Sequence, residues 1–328
     1  MKIVKLVTIN LLVFFFLLFL LELGFRLFWK MGTLEKEIYQ TSANKTLRYQ
    51  LKPNLDTLYE DSRLMTNSAN FRGKEYDFQK PSHTYRILLL GDSVAFGRHL
   101  NAEDLLSTIL EDSLGKECPE KSFEVLNMGV EGYNTLQELE LLKAKGLKYH
   151  PDLLIVYYCF NDPNQREYYF KKNFINRHSV LARYVLYRFK KRMAKMDRQK
   201  RGIKSIPDDF RYLYQECPDC WKVTKSALIE MADLAQQEEI PMVLLIAVEM
   251  SQDVLDFREG YPFWYINELL EGLKHENLTV VDPLRDFSEK NLEKEEVNIQ
   301  SYPDRRANEI IAAYLIKKLK ENSIFFCQ

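Results

Sequence analysis

Short apolar runs recur along this chain, and each gives way to small or polar residues at the point where a strand would end. Ile87 to Leu90 is continuously aliphatic and stops at Gly91. Four such residues are too few for an ordinary helix and enough for a strand buried on both faces. Phe123 to Leu126, Leu153 to Tyr158, Pro241 to Val248 and Leu278 to Val281 read the same way. Between them the apolar spacing changes to three and four. Asn101 is placed to cap a helix from Ala102 to about Leu114, with Leu105, Leu106, Ile109 and Leu110 on one stripe. Asn134 with Gln137 opens a second helix as a capping box, running through Leu136, Leu139, Leu142 and Leu147. Further helices are predicted over Thr224 to Gln237, around Tyr265 to His275, and through Ala307, Ile310, Ile311, Tyr314 and Leu315. Strand and helix alternate throughout. That order predicts an α/β fold, a three-layer sandwich whose five-stranded parallel sheet has right-handed crossovers and helices on both faces.

Two regions break the alternation. From Leu6 to Leu21 only Thr8 and Asn10 are polar. Extended to Trp29, the stretch reaches the roughly 20 residues that cross a bilayer. No small-residue cleavage site follows it, so the pattern predicts an uncleaved transmembrane anchor over residues 1–30 rather than a removed leader. Glu22 and Arg26 are spaced to pair at its boundary. Residues 31–84 read as a spacer that becomes an ordered arm, and residues 85–328 as the α/β domain. Inside that domain, residues 163–215 are an insertion that a minimal sheet does not need. From Lys171 to Lys204 it carries thirteen Lys or Arg and one acid, Asp197. If it is helical from Ser179, then Leu181, Tyr184, Val185, Phe189 and Met193 share a side. Such a helix fits a solvated cap, a membrane-surface element or a docking surface for an anionic glycan, and its place after Asn161 makes it a candidate lid.

Composition removes some functions. Lys and Arg number 46 against 47 Asp and Glu over 328 residues, so no global field draws the protein to nucleic acid. Five cysteines, an odd and scattered count, predict no disulfide framework. Cys159 lies in an apolar run and reads as a buried small hydrophobe. Cys217 and Cys220 form a CxxC with no second pair or histidine cluster, which excludes a zinc site and leaves a local disulfide or two free thiols. No metal or cofactor is implied.

The chemistry gathers at strand ends, the edge of an open parallel sheet where ligands bind. Gly91-Asp92-Ser93-Val94-Ala95-Phe96-Gly97 follows the first strand, Asn127-Met128-Gly129-Val130-Glu131-Gly132-Tyr133-Asn134 the second, and Phe160-Asn161-Asp162 the third. In that order these blocks resemble the SGNH (GDSL-type) esterases and acetylhydrolases, a family with a flavodoxin-like sheet. Thr66 to Gly73 also resembles the segment preceding the catalytic domain in many single-anchored bacterial proteins of that kind, with Asn70 where glycine is usual. The resemblance implies Ser93 as nucleophile and an oxyanion hole made by the Ser93 N–H, the Gly132 N–H and the Asn161 side-chain amide. Glycine lets backbone approach a substrate closely, and an asparagine amide donates without carrying charge.

The same resemblance requires a histidine, oriented by an aspartate three residues earlier, just before the last helix. Aligned on Pro303, the base position is Tyr302 and the acid position is Ile299. A phenol of ordinary acidity does not deprotonate serine at neutral pH, and isoleucine orients nothing. His83, His150 and His275 each precede a strand and so sit at the far edge of the sheet. His99 and His178 fall on the correct side and are the two candidate bases. Asp304 reads as an N-terminal charge on the last helix, and Asp92 as an acceptor that fixes the turn. Three functions stay open: a single-pass inner-membrane esterase or deacetylase with its domain outside, acting on an O-acylated envelope glycan or lipid; a non-catalytic member that binds such a ligand; and an acyltransferase using the same acyl-serine.

Overall fold

A computed structural model describes residues 2–28, 38–164, 179–325 and 327. The candidate base His178 lies outside the described residues. The chain divides into two compact units, one drawn from residues 1–37 and 170–204, the other from 38–169 and 205–328.

In the first unit, helix α1 covers Lys2–Phe28, and its stretch from Ile3 to Phe28 is long and apolar enough to cross a membrane, with none of its most apolar window buried. Glu22 and Arg26 pair on it at 2.9 Å, as their spacing predicts. Glu22 does more than that. Its carboxylate also accepts from the Ser179 hydroxyl at 2.8 Å, the Val180 N–H at 2.8 Å and the Leu181 N–H at 2.9 Å. These donors open a second helix of this unit, Val180–Lys200, so an acid of the apolar helix caps the basic one. Phe25 and Tyr184 then meet ring to ring at 4.9 Å.

The second unit carries the sheet. After two antiparallel hairpins, β1 (Tyr39–Thr41) with β2 (Tyr49–Leu51) and β3 (Asp56–Tyr59) with β4 (Ser62–Met65), come five parallel strands. They are β5 (Thr84–Gly91), β6 (Ser122–Asn127), β7 (Leu153–Tyr158), β8 (Met242–Ile246) and β9 (Leu278–Val281), in the spatial order β6-β5-β7-β8-β9. Helix Leu106–Glu117 carries the chain from β5 out to β6, and helix Thr135–Ala144 carries it back across to β7. Travel in opposite directions with one handedness places the two on opposite faces. The sheet is a fully buried middle layer at its centre: Ile87 to Leu90, Leu153 to Tyr158 and Met242 to Ile246 are all at or below 1% exposure.

Two expectations need correction. Asn101 does not cap the helix after β5, because its side chain accepts from the Arg63 N–H at 3.0 Å instead. A short 3-10 turn, Ala102–Asp104, intervenes, and the helix starts at Leu106. The cysteines also pair further than their count implied, since Cys118 joins Cys327 across 209 residues, while Cys217 joins Cys220 in the local disulfide that is one of the two readings of the CxxC. Cys159 is the free, buried one among the described cysteines. The capping box at Asn134 and Gln137 is present as read.

Candidate active site

The first block turns sharply at Gly91, whose φ is +151°. A β-carbon there would lie 2.7 Å from that of Ala95 and 2.8 Å from the Tyr157 carbonyl oxygen, so both conformation and space demand glycine. Asp92 then caps a one-turn helix, Ser93–Phe96, by accepting the Val94 N–H at 2.9 Å. The rest of its carboxylate gathers the third block. Cys159 Sγ donates to Oδ1 at 3.0 Å, and Asn161 Nδ2 donates to Oδ2 at 3.1 Å. Ser93 Oγ donates to the same Oδ2 at 3.3 Å. One buried acid, 1% exposed, thereby holds Ser93 and Asn161 around itself.

The second block lies on the same short helix. Asn127 donates from Nδ2 to the Ala95 carbonyl at 2.7 Å and accepts the Gly129 N–H at 3.0 Å. A β-carbon on Gly129 would fall 2.3 Å from the Phe96 nitrogen. The loop continues to Gly132 at φ +73°. Among the described residues the N–H groups of Ser93 and Gly132 donate to no acceptor, which leaves both free to receive one.

Glu131, beside Gly132, is gripped from the hairpins. Its Oε2 accepts from Tyr39 at 2.8 Å and Tyr59 at 2.7 Å, and its carbonyl accepts from Tyr49 at 2.7 Å. Its other oxygen lies 3.4 Å from Arg98 Nε. Burial pushes the Glu131 carboxyl above the usual range, against the pull of Tyr59, Arg98 and Tyr39. Arg98 also binds Glu60 with two nitrogens. From the segment before the sheet, buried Arg72 donates to the carbonyls of Phe96 at 2.8 Å and Gly97 at 2.7 Å, and to that of Leu100. It thus closes the carboxyl end of the Ser93 helix. Asn70 adopts φ +73°, the left-handed conformation that explains why a glycine-like residue is needed there.

Positions 299 and 302 are cross-strand partners in a small hairpin, β10 (Asn298–Ile299) with β11 (Tyr302–Pro303). The turn between them places Gln300 at φ +50° and Ser301 at φ +71°, as a tight hairpin requires. The Tyr302 hydroxyl faces Ser93 and Arg98. Burial raises its pKa above that of an ordinary phenol despite the opposing pull of both neighbours, so Tyr302 is neutral at physiological pH. His99 packs edgewise on the Tyr302 ring, centroids 5.6 Å apart. Its Nε2 is 3.4 Å from Glu60 Oε2, its side chain is 9% exposed, and its Nδ1 is buried with no partner among the described residues. Ser93 and His99 are not joined directly; Tyr302 is the neighbour they share.

Below the site lie two further acids. Glu138 is completely buried with neither carboxylate oxygen paired among the described residues, and Asp162 accepts from Thr135 at 3.0 Å. Burial, reinforced by Asp92, raises both carboxyls well above the usual range, and the Glu138 charge adds to the rise at Asp162. The remaining histidines stand where their position before strands predicted: the His83 carbonyl accepts from Ser122 at the start of β6, and His275 pairs with Asp233 at 3.0 Å. Glu60, Arg98 and Glu131 were not singled out from the sequence. Glu131 sits inside the second block, but only the three tyrosines brought onto it by the hairpins give it a role.

No family model matches the chain, and no curated protein matches it. Solved structures with a similar backbone include TesA, at 14% identity over 72% of this chain and 98% of that one, with a TM-score of 0.42. Another is an acetyl xylan esterase, at 12% identity over 71% and 99%, TM-score 0.45. A GDSL-like lipase from Bacteroides thetaiotaomicron matches at 12% over 72% and 88%, TM-score 0.38. Likenesses of this size assign no residue a role.

Proposed function

We propose that the protein is a serine ester hydrolase of the SGNH type, held at the inner membrane by α1 with its sheet domain outside, and acting on an O-acylated envelope glycan or lipid. Ser93 Oγ attacks the acyl carbonyl, and the N–H groups of Ser93 and Gly132 with the Asn161 amide receive the charge that builds on its oxygen. The observation that carries this reading is Asp92, which gathers Ser93 and Asn161 on one carboxylate at a strand end, while the backbone N–H groups of Ser93 and Gly132 have no acceptor among the described residues. The length and apolarity of α1 support the anchor. The two disulfides support an oxidising compartment.

A second reading, binding without turnover, is favoured by Tyr302 and Ile299. A neutral phenol faces Ser93 where an imidazole is expected, and loss of the base costs a serine hydrolase on the order of 10⁶ in turnover. A fluorophosphonate probe separates the two. The hydrolase labels at Ser93, and Ser93→Ala does not. Tyr302→His combined with Ile299→Asp then raises labelling by on the order of 10²- to 10⁴-fold, the usual worth of a positioned base. Wild type that stays blank while this double variant labels establishes binding without turnover. If folded protein labels in neither form, the ester-hydrolase reading is wrong.

A further inference from the structure

The basic helix Val180–Lys200 presents an apolar stripe that the chemistry at Ser93 does not use. At roughly 3.6 residues per turn, Val185, Phe189, Met193 and Met196 fall within about 80° of one another. They are 54%, 60%, 49% and 42% exposed. Apolar residues exposed singly are ordinary, but a contiguous exposed stripe marks an interaction surface. The rest of the helix is cationic, with eight Lys or Arg against one acid, Asp197. Around the helix axis Arg188 and Arg192 border the stripe on one side and Lys190 on the other, while Lys191, Lys195 and Arg198 occupy the opposite face. An apolar face rimmed by cations is the pattern of a helix that lies in a membrane interface.

Where the helix begins selects the partner. The uncharged run of α1 ends at Leu21, and the next residue, Glu22, accepts the Val180 and Leu181 N–H groups at 2.8 and 2.9 Å. Phe25 against Tyr184 holds the following turn to the last turns of α1. With α1 across a bilayer, the basic helix therefore starts at headgroup depth. A polyanionic glycan would answer the charge but leave Phe189 and Met193 in water. A second copy would cover the stripe but bring rows of like charge together. An anionic bilayer surface answers both. Resting on α1 as the membrane-crossing element, we propose that Val180–Lys200 lies in the headgroup layer of a bilayer containing anionic phospholipid. Val185, Phe189, Met193 and Met196 enter the acyl boundary, and the flanking Arg and Lys side chains meet lipid phosphates. The protein thus has a second attachment, and this one depends on lipid charge.

The test puts an environment-sensitive fluorophore on single introduced cysteines of the full-length protein in lipid nanodiscs. Cys159 is buried and the other four cysteines are disulfide-bonded, so the introduced thiol is the one that reacts. Phe189→Cys reports the stripe, Lys191→Cys the opposite face and Phe15→Cys the span of α1; Met193→Cys repeats the stripe measurement one turn on. The nanodiscs contain either equimolar phosphatidylglycerol and phosphatidylcholine or phosphatidylcholine alone, and each is probed with a nitroxide carried on lipid acyl chains and with aqueous iodide. In the mixed lipid the nitroxide should quench labels at 189 and 193 at least about threefold more than the label at 191, and iodide should give the reverse order. In phosphatidylcholine alone that preference should fall by about half or more, while position 15 stays nitroxide-quenched in both. Equal quenching at 189 and 191, with position 15 still nitroxide-quenched, overturns the proposal and leaves the anchor standing. Labels at 189 and 193 shielded from both quenchers are covered by protein, as a second copy would cover them, and this also overturns it. A preference equally strong in phosphatidylcholine alone overturns the dependence on lipid charge. Position 15 untouched by the nitroxide ends the anchor and this proposal with it.

Discussion

At the residue scale the site depends on side chains that cannot be enlarged and on acids that cannot be ionised cheaply. Gly129 is the tightest case against backbone: any β-carbon would penetrate to 2.3 Å from the Phe96 nitrogen. That atom is backbone of the Ser93 helix and has no rotamer by which to move. Gly129→Ala should cost roughly 3 kcal/mol, the upper range for overpacking, and abolish labelling at Ser93, as denaturant unfolding and the probe would show together. Glu138 gives a pH prediction. Burial and the Asp92 charge raise its native carboxyl well above the unfolded value, so as pH rises past the ordinary glutamate range the native state holds a proton that the unfolded chain has released. Its favourable contribution is complete below the unfolded pKa and declines as pH rises toward the folded one. Glu138→Gln removes that proton linkage, so its melting temperature should fall less than that of wild type between about pH 5 and 8. A parallel pair of curves would show that Glu138 is ionised in the native protein. Asp162 is shifted in the same direction, so some slope should remain in the variant.

Elements differ in how far the sequence disclosed them. β7 and β9 occupy the predicted spans without change, and β8 is only trimmed, from Pro241–Val248 to Met242–Ile246. Strands buried on both faces leave a continuous apolar run that needs no periodicity to be recognised. The hairpins before the sheet left no such trace. Each of their strands is only three or four residues long and mixes buried with partly or fully exposed positions, and their importance lies in where Tyr39, Tyr49, Tyr59 and Glu60 arrive. The candidate site divides in the same way. Ser93, Gly132 and Asn161 were legible because each follows a readable strand, whereas Arg98 and Glu131 acquire partners only through long-range folding. Local caps were more legible than distant ones: Asn134 bonds three residues ahead, but Val180–Lys200 is capped by Ser179 and also by Glu22, 158 residues away at Val180. Glu22→Ala should therefore fray that helix by about 1 kcal/mol, the usual worth of an N-cap. Tryptic cleavage after Arg183 and Arg188 in detergent-solubilised full-length protein should then quicken by roughly fivefold. Unchanged cleavage would mean that Ser179 Oγ, which accepts from the Ala182 N–H at 3.0 Å, caps the helix unaided.

For the whole molecule the most consequential link is one that cysteine counting passed over. An odd number of scattered cysteines argues against a dense framework, but it does not forbid a single long-range bond. Cys118 lies just beyond the helix Leu106–Glu117, and Cys327 follows the last helix, Arg305–Glu321. The two helices pack together, with Lys320 of the last reaching Glu117 of the first. The disulfide therefore ties the end of the chain to the helix that follows Ser93's strand, closing a loop of 209 residues. In the chain-entropy treatment a loop of that length removes about 5 kcal/mol of unfolded-state freedom. This is an upper figure, because a compact denatured chain has already surrendered part of it. Cys327→Ser should lower the unfolding free energy towards that limit in denaturant titrations monitored by tryptophan fluorescence, and a reductant, which also opens Cys217–Cys220, should lower wild type at least as far. Because Phe325 packs on Tyr85 and Phe123 at 5.4 and 5.7 Å between ring centroids, the variant should keep its native far-ultraviolet spectrum and lose stability without losing fold. A Cys327→Ser protein as stable as oxidised wild type would place the bond outside the native state in solution. It would also remove one of the two supports for an oxidising compartment, leaving Cys217–Cys220 to carry that argument alone.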